Sequence, residues 1–222
     1  MVRRTAECLW TQERLGASHP LVTALWATRS TLEQIVALAA VELAAGGLLL
    51  DGRATGLSLL VAASAVQAGL AFRLLVLAES RRIACLDLLV EGYPPVEIPA
   101  VAREWRRLSD PRRRVALARS VERLAEMAGR PSGYLAGARP YFSVRVIRAV
   151  VPELRELAAL VRADDAPAPG VAFVERLMTC GTSPVYGQAT APLRADLARA
   201  RYLLMRQPRP GRAPAPRRER RR

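Results

Sequence analysis

Glu42 is a carboxylate where carboxylates are costly, near the middle of the apolar run Ile35–Leu50. A second run, Leu57–Leu77, follows after only Asp51-Gly52-Arg53-Ala54-Thr55-Gly56. Folding the chain back at that turn brings Glu42 near the depth of Ser64 and Gln67, and Glu33 and Gln34 near Arg73. Polar groups persist in an apolar medium when they find such partners. Two chemistries suit Glu42: a structural hydrogen bond within a helix pair, or a carboxylate that handles protons or ions. Two helices without further acidic or His partners favour the structural role. Arg73 is the one charge in the second run and lies near its end, where it snorkels toward lipid headgroups.

Other reactive residue types are scattered. Cys8, Cys85 and Cys180 lie far apart and form no CxxC pair, so neither a disulfide framework nor a metal-ligand spacing is visible. Cys180 precedes Gly181 at an expected helix end, where the helix dipole disfavours a thiolate, and no His stands nearby to activate it. His19, the single His, precedes Pro20 in a turn-like stretch and reads as an incidental loop residue. A Walker motif would need a lysine, and the chain has none. No HExxH or GxSxG occurs, and the carboxylates are spread among arginines in a way that suits surface ion pairing. The expectation is a protein without catalytic residues, cofactor or metal.

Two stretches suit binding instead. The loop Thr182–Gln188, with Ser183, Pro184, Tyr186 and Gly187, is either a recognition element or a rigid connection that packs Tyr186. Trp105, beside Arg106 and Arg107, is either an aromatic-basic contact surface or a buried Trp under a solvated face. Together with Arg217, Arg218 and Arg220 of the tail, those residues are candidates for contact with anionic lipid or nucleic acid.

The elements that must position these residues begin with the hairpin. A helix needs about 20 mainly apolar residues to cross the hydrocarbon core. The apolar residues of the second run contribute on the order of −3 to −7 kcal/mol to insertion, so that run inserts alone. The first contributes roughly −2 to −5 kcal/mol, against about 2.5–3.5 for Glu42. It is marginal without its partner. Small residues at helical spacing (Ala40 and Ala44, Ala65 and Gly69) would let the two backbones approach. The competing reading makes both runs core helices of a soluble all-α domain.

The formal net charge is +14, and the tail 206–222, with eight Arg and one Glu, supplies half of it. Such a balance calls for an anionic partner. Lys and Asn are both absent while Ala, Arg, Gly and Pro abound, as expected of a very GC-rich bacterial genome. Mutational bias then places Arg wherever a cation is tolerated, which weakens any reading of an individual arginine. Arg3, Arg4, Arg14 and Arg29 precede the hairpin and Arg81, Arg82 and many more follow it, whereas the turn holds only Arg53. The positive-inside rule puts both termini in the cytoplasm and makes this a multi-pass protein of the cell membrane.

The remaining pattern is helical. Residues 1–30 read as a cytoplasmic lead-in, 31–79 as the transmembrane hairpin, 80–205 as an arginine-rich cytoplasmic helical domain and 206–222 as a disordered basic tail. Within the domain, the second spanning helix continues to Gly92, and helices follow over Pro99–Leu108 and from Ser109-Asp110-Pro111 to Gly129. Leu117, Val121, Leu124 and Ala128 form one face of the latter, and Arg112, Arg119 and Arg123 another. Ser143–Arg162 is helical, with Pro152 either kinking it or starting a second helix. Helices over Val171–Thr179 and Thr190–Met205 complete an all-α fold.

The segments IPAVAREWRRLSDPRRRVALARSVERL, APGVAFVERLMTCGTSPVYG and LRADLARARYLL resemble the cytoplasmic part of a group of uncharacterised actinobacterial proteins. Those also carry two apolar segments before a basic helical region. The resemblance implies location and source, and no mechanism. Three readings stay open: a membrane-anchored adaptor or scaffold with a protein partner, a nucleic-acid-binding basic helical protein, and a homo-oligomeric channel or transporter subunit using Glu42.

Overall fold

The computed structural model describes residues 2–52, 54–93, 97–128, 144–180 and 190–205. These form helices α1 (Val2–Leu15), α2 (Pro20–Leu50), α3 (Thr55–Val90), α4 (Pro99–Ser109), α5 (Pro111–Met127), α6 (Val144–Arg148), α7 (Val151–Arg162), α8 (Ala168–Cys180) and α9 (Thr190–Met205). No strand occurs among the described residues, so the chain is all-α. It divides into two compact units, 1–107 and 108–222, and the hairpin lies inside the first with α1 and most of α4.

In the first unit, the stretch before the hairpin is itself helical. α1 covers half of it, and α2 starts at Pro20, well before the apolar run. His19 accounts for that start. Its Nδ1 accepts a hydrogen bond from the Leu21 amide at 3.1 Å, and Pro20 follows with its φ preset for a helix. His19 is a helix cap, not an incidental loop residue. At the far end, the amides of Asp51 and Gly52 bond back to the Gly47 and Leu49 carbonyls, and Gly52 takes a φ of 76° that ends the helix. The chain reverses there and α3 runs back along α2. α3 continues well past the apolar run and stops at Gly92, whose φ is 84°.

Burial divides these two continuous helices into a base and an arm. At the base, α2 buries Leu21, Val22, Ala24 and Leu25, and α3 buries Ala84, Cys85, Leu86, Leu88 and Leu89. Cys8 of α1 and Ala100 and Val101 of α4 are buried as well. Thr31 is fully buried and donates its hydroxyl to the Ala27 carbonyl of its own helix, so its burial leaves no unmet donor. Beyond Thr31 and before Ala84 the buried positions nearly vanish, leaving Ala45, Gly56 and Ala63 where the helices touch.

The second unit packs α5 on α7, and α8 and α7 on α9. Asp110 caps α5 by accepting from the Arg112 amide at 3.0 Å, with Pro111 at the first position. Leu117, Val121, Leu124 and Ala128 are all buried, as their spacing predicts. Pro152 starts a new helix: α6 ends at Arg148 and α7 begins at Val151. Leu193, Leu197, Ala200 and Leu204 of α9 form the expected buried seam. Gly170 of α8 lets that seam close, since a Cβ there would stand 2.7 Å from Leu204 side-chain atoms.

Candidate functional site

The hairpin arm carries the geometry with the clearest chemical meaning. At 1.5 Å per residue, Glu42 lies about 12 Å along α2 from Leu50, and Ser64 about 13 Å along α3 from Thr55, so the two sit at nearly equal depth. Their contact is direct: Ser64 Oγ donates to Glu42 Oε1 at 3.1 Å. With its amide turned so that Nε2 faces the carboxylate, Gln67 donates to Oε1 at 2.8 Å and to Oε2 at 2.9 Å. Both carboxylate oxygens are thus satisfied from the facing helix, as the fold-back at the turn requires.

Two other expectations about the arm are corrected. The close backbone approach is not made by Ala40, Ala44, Ala65 and Gly69, which are exposed. It lies nearer the turn, where a Cβ on Gly56 would come within 2.7 Å of the Ala45 carbonyl oxygen and 2.8 Å of the Leu49 amide nitrogen. Glu33 does not wait for Arg73 either. It accepts from Arg29 Nε at 2.9 Å, one turn back on its own helix, and Arg73 stands exposed at the base end of the arm.

Around this polar centre the arm is bare. Only 6% of the most apolar 18-residue stretch of either helix is buried. Leu43, Leu50, Phe72 and Leu75 lie between 69% and 91% exposed. Both helices are long and apolar enough to cross a membrane. Charge appears at the base, in the pairs Arg29–Glu33, Arg82–Glu79, Arg82–Glu104 and Arg103–Glu7.

Comparison with protein-family models, with curated proteins and with solved structures finds no match. The chemistry must therefore be read from the chain's own side chains.

Of the aromatic-basic trio, Trp105 is half-buried, Arg107 donates to Glu104 at 2.9 Å through Nε, and Arg106 is exposed. Ser183, Pro184, Tyr186, Gly187, Arg217, Arg218 and Arg220 lie outside the described residues. Cys8 and Cys85 are buried free thiols, and burial together with neighbouring Glu7 pushes the Cys8 thiol above its ordinary value. Among the described residues, no three His, Cys, Asp or Glu side chains stand close enough together to hold a metal ion.

Several arginines have structural roles that composition hides. Arg114, 8% exposed, donates to the Ala163 and Asp164 carbonyls at 2.7 and 2.8 Å, satisfying the end of α7. Arg148 donates to the Ala128 carbonyl at 2.6 Å and closes the end of α5 in the same way. Arg113 bonds Glu175, which is 2% exposed. Arg114 carried a legible signal: it stands three and seven residues before Leu117 and Val121, on the apolar stripe itself.

Proposed function

We propose that the chain is a membrane-anchored adaptor: the hairpin arm spans the bilayer, and the helices after it serve partners on the cytoplasmic side. One observation carries this reading. The same two helices are packed like a soluble core at their base and left uncovered along their arm. A soluble protein does not leave some five turns of paired apolar helix in water, since exposed patches beyond a few hundred Å² mark interaction surfaces. Lipid is the environment in which that surface costs nothing. The arm also has the right length, because about 20 residues on each side of the turn match a hydrocarbon core of about 30 Å.

The polar groups support the same reading. Glu42, Ser64 and Gln67 satisfy one another near mid-depth. Arg73 lies about 27 Å along α3 from Thr55, at the far edge of such a core. The arginine distribution supports a turn outside and both termini inside. A Glu42 whose two oxygens are taken by its own hairpin suits a structural pin better than a station on an ion path. The exposed arginines Arg112, Arg119 and Arg123 of α5 offer a basic face to an acidic protein partner.

Reporter insertions test the topology. An alkaline phosphatase domain inserted at Asp51 should be active, and the same domain after Met205 inactive. Activity at both sites, or only after Met205, would reject the arrangement.

A further inference from the structure

The first unit holds an open cleft of about 1140 Å³ at the level where the buried base gives way to the bare arm. Its wall has two characters. Arg29, Arg81, Arg103 and Arg106 contribute four positive charges against one carboxylate, Glu7. Leu32 and Leu74 contribute the cytoplasmic end of the arm's apolar surface. Glu7 is engaged by Arg103 at 2.6 Å and Arg29 is engaged by Glu33, so the surplus charge resides in Arg81 and Arg106. Among the described residues, Arg106 spends only its Nε, on the Ala102 carbonyl of its own helix at 3.3 Å. Its terminal nitrogens remain as donors of the forked kind that match phosphate oxygens.

We propose that this cleft is a binding site for a single anionic phospholipid, its phosphate on Arg81 and Arg106 and an acyl chain along Leu32 and Leu74. The inference rests on the membrane reading above, which puts the base of the arm at headgroup depth. Position distinguishes the ligand from a soluble phosphate. A free anion would use the arginines and leave the leucines uncovered, whereas a lipid covers both. The site also differs from general attraction of a basic tail to an anionic leaflet, because it is built from a fixed pair of arginines on two helices.

Native mass spectrometry of the full chain, released from nanodiscs of defined composition, tests the site. In nanodiscs of equal phosphatidylglycerol and phosphatidylcholine, one phosphatidylglycerol should remain bound in preference to phosphatidylcholine. The double variant Arg81→Gln with Arg106→Gln should lower that retention about tenfold, the scale of losing two charge-assisted contacts. Arg81→Lys with Arg106→Lys, which keeps the charge and loses the fork, should restore only part of it. Arg145→Gln with Arg155→Gln, which removes the same charge from exposed positions of α6 and α7, should change nothing. Equal loss in that control, unchanged retention in the Arg81/Arg106 variant, or equal retention of the two lipids would overturn the site. Glycerol phosphate supplied in detergent should not bind, and its binding at the same arginines would make the ligand a soluble phosphate. Alkaline washing of membranes bearing the unaltered chain separates the two readings. If that chain stays in the pellet but retains the two lipids equally, only the site fails; its release removes the membrane reading as well.

Discussion

At the scale of single residues, this chain uses polar groups as fasteners. The hydrogen bonds from Ser64 and Gln67 to Glu42 join the arm's two helices where no base packing reaches. Bonds of this kind in membranes average about 0.6 kcal/mol and reach about 1.7. Ser64→Ala and Gln67→Leu should each weaken the hairpin by that amount in a steric-trapping measurement, and Glu42→Gln should leave ion flux in vesicles unaltered. His19 makes a second residue-scale prediction. Burial lowers its imidazole from the ordinary 6.5, against the opposing pull of Glu91 and Asp87. Its cap works through a neutral Nδ1, so folding disfavours the protonated form. The contribution is complete above pH 6.5 and is lost as pH falls through the lower folded value. About 1 kcal/mol should disappear on acidification. His19→Ser keeps a capping oxygen without the titration, and its melting curve in detergent should lose that part of the pH dependence. Arg114→Ala is the costly change: the Ala163 and Asp164 carbonyls lose their charged donor, and about 1.5–3 kcal/mol should be lost in urea unfolding of the second unit's signal.

Helix periodicity and punctuation made most elements legible in the sequence. Asp110-Pro111 marked a helix start, Gly92 a stop, and the stripes of α5 and α9 are buried where their spacing puts them. The missed elements have physical causes. α1 looks polar and, among its described side chains, buries only Cys8 and Thr11, while the start of α2, which buries Leu21, Val22, Ala24 and Leu25, lies outside the apolar run that marks the hairpin. Pro152 was ambiguous because a proline suits both a kink and a first turn, and only the preceding turn at Val150 decides it. Arginines that cap other helices cannot be told from surface arginines in a chain without lysine, except through stripe membership. The helix contact at Gly56 is an element-scale prediction. Any side chain there meets the α2 backbone, so Gly56→Leu should splay the turn end of the hairpin and cost about 1–3 kcal/mol. Cross-linking of cysteines placed at Leu49 and Leu57 should fall in that variant and persist in Gly69→Leu, where the added side chain meets open space.

At the scale of the whole molecule, two effects compete for the arm: hydration of a bare apolar surface and the cost of burying Glu42 in lipid. The second is about 2.5–3.5 kcal/mol before its partners are counted. The first is far larger for two helices with 6% of their apolar stretches covered. On the proposed reading lipid wins on magnitude, and the basic tail is then proposed as an accessory to attachment. Near an anionic leaflet its arginines contribute about 1 kcal/mol each, a contribution that salt screens. The most direct measurement is therefore alkaline carbonate extraction of membranes bearing the full chain or a chain ending at Met205. Both should remain in the pellet at high salt and high pH. Recovery of either in the supernatant as a monodisperse, detergent-free species would contradict the account, and the arm's apolar surface would then have to be covered by protein.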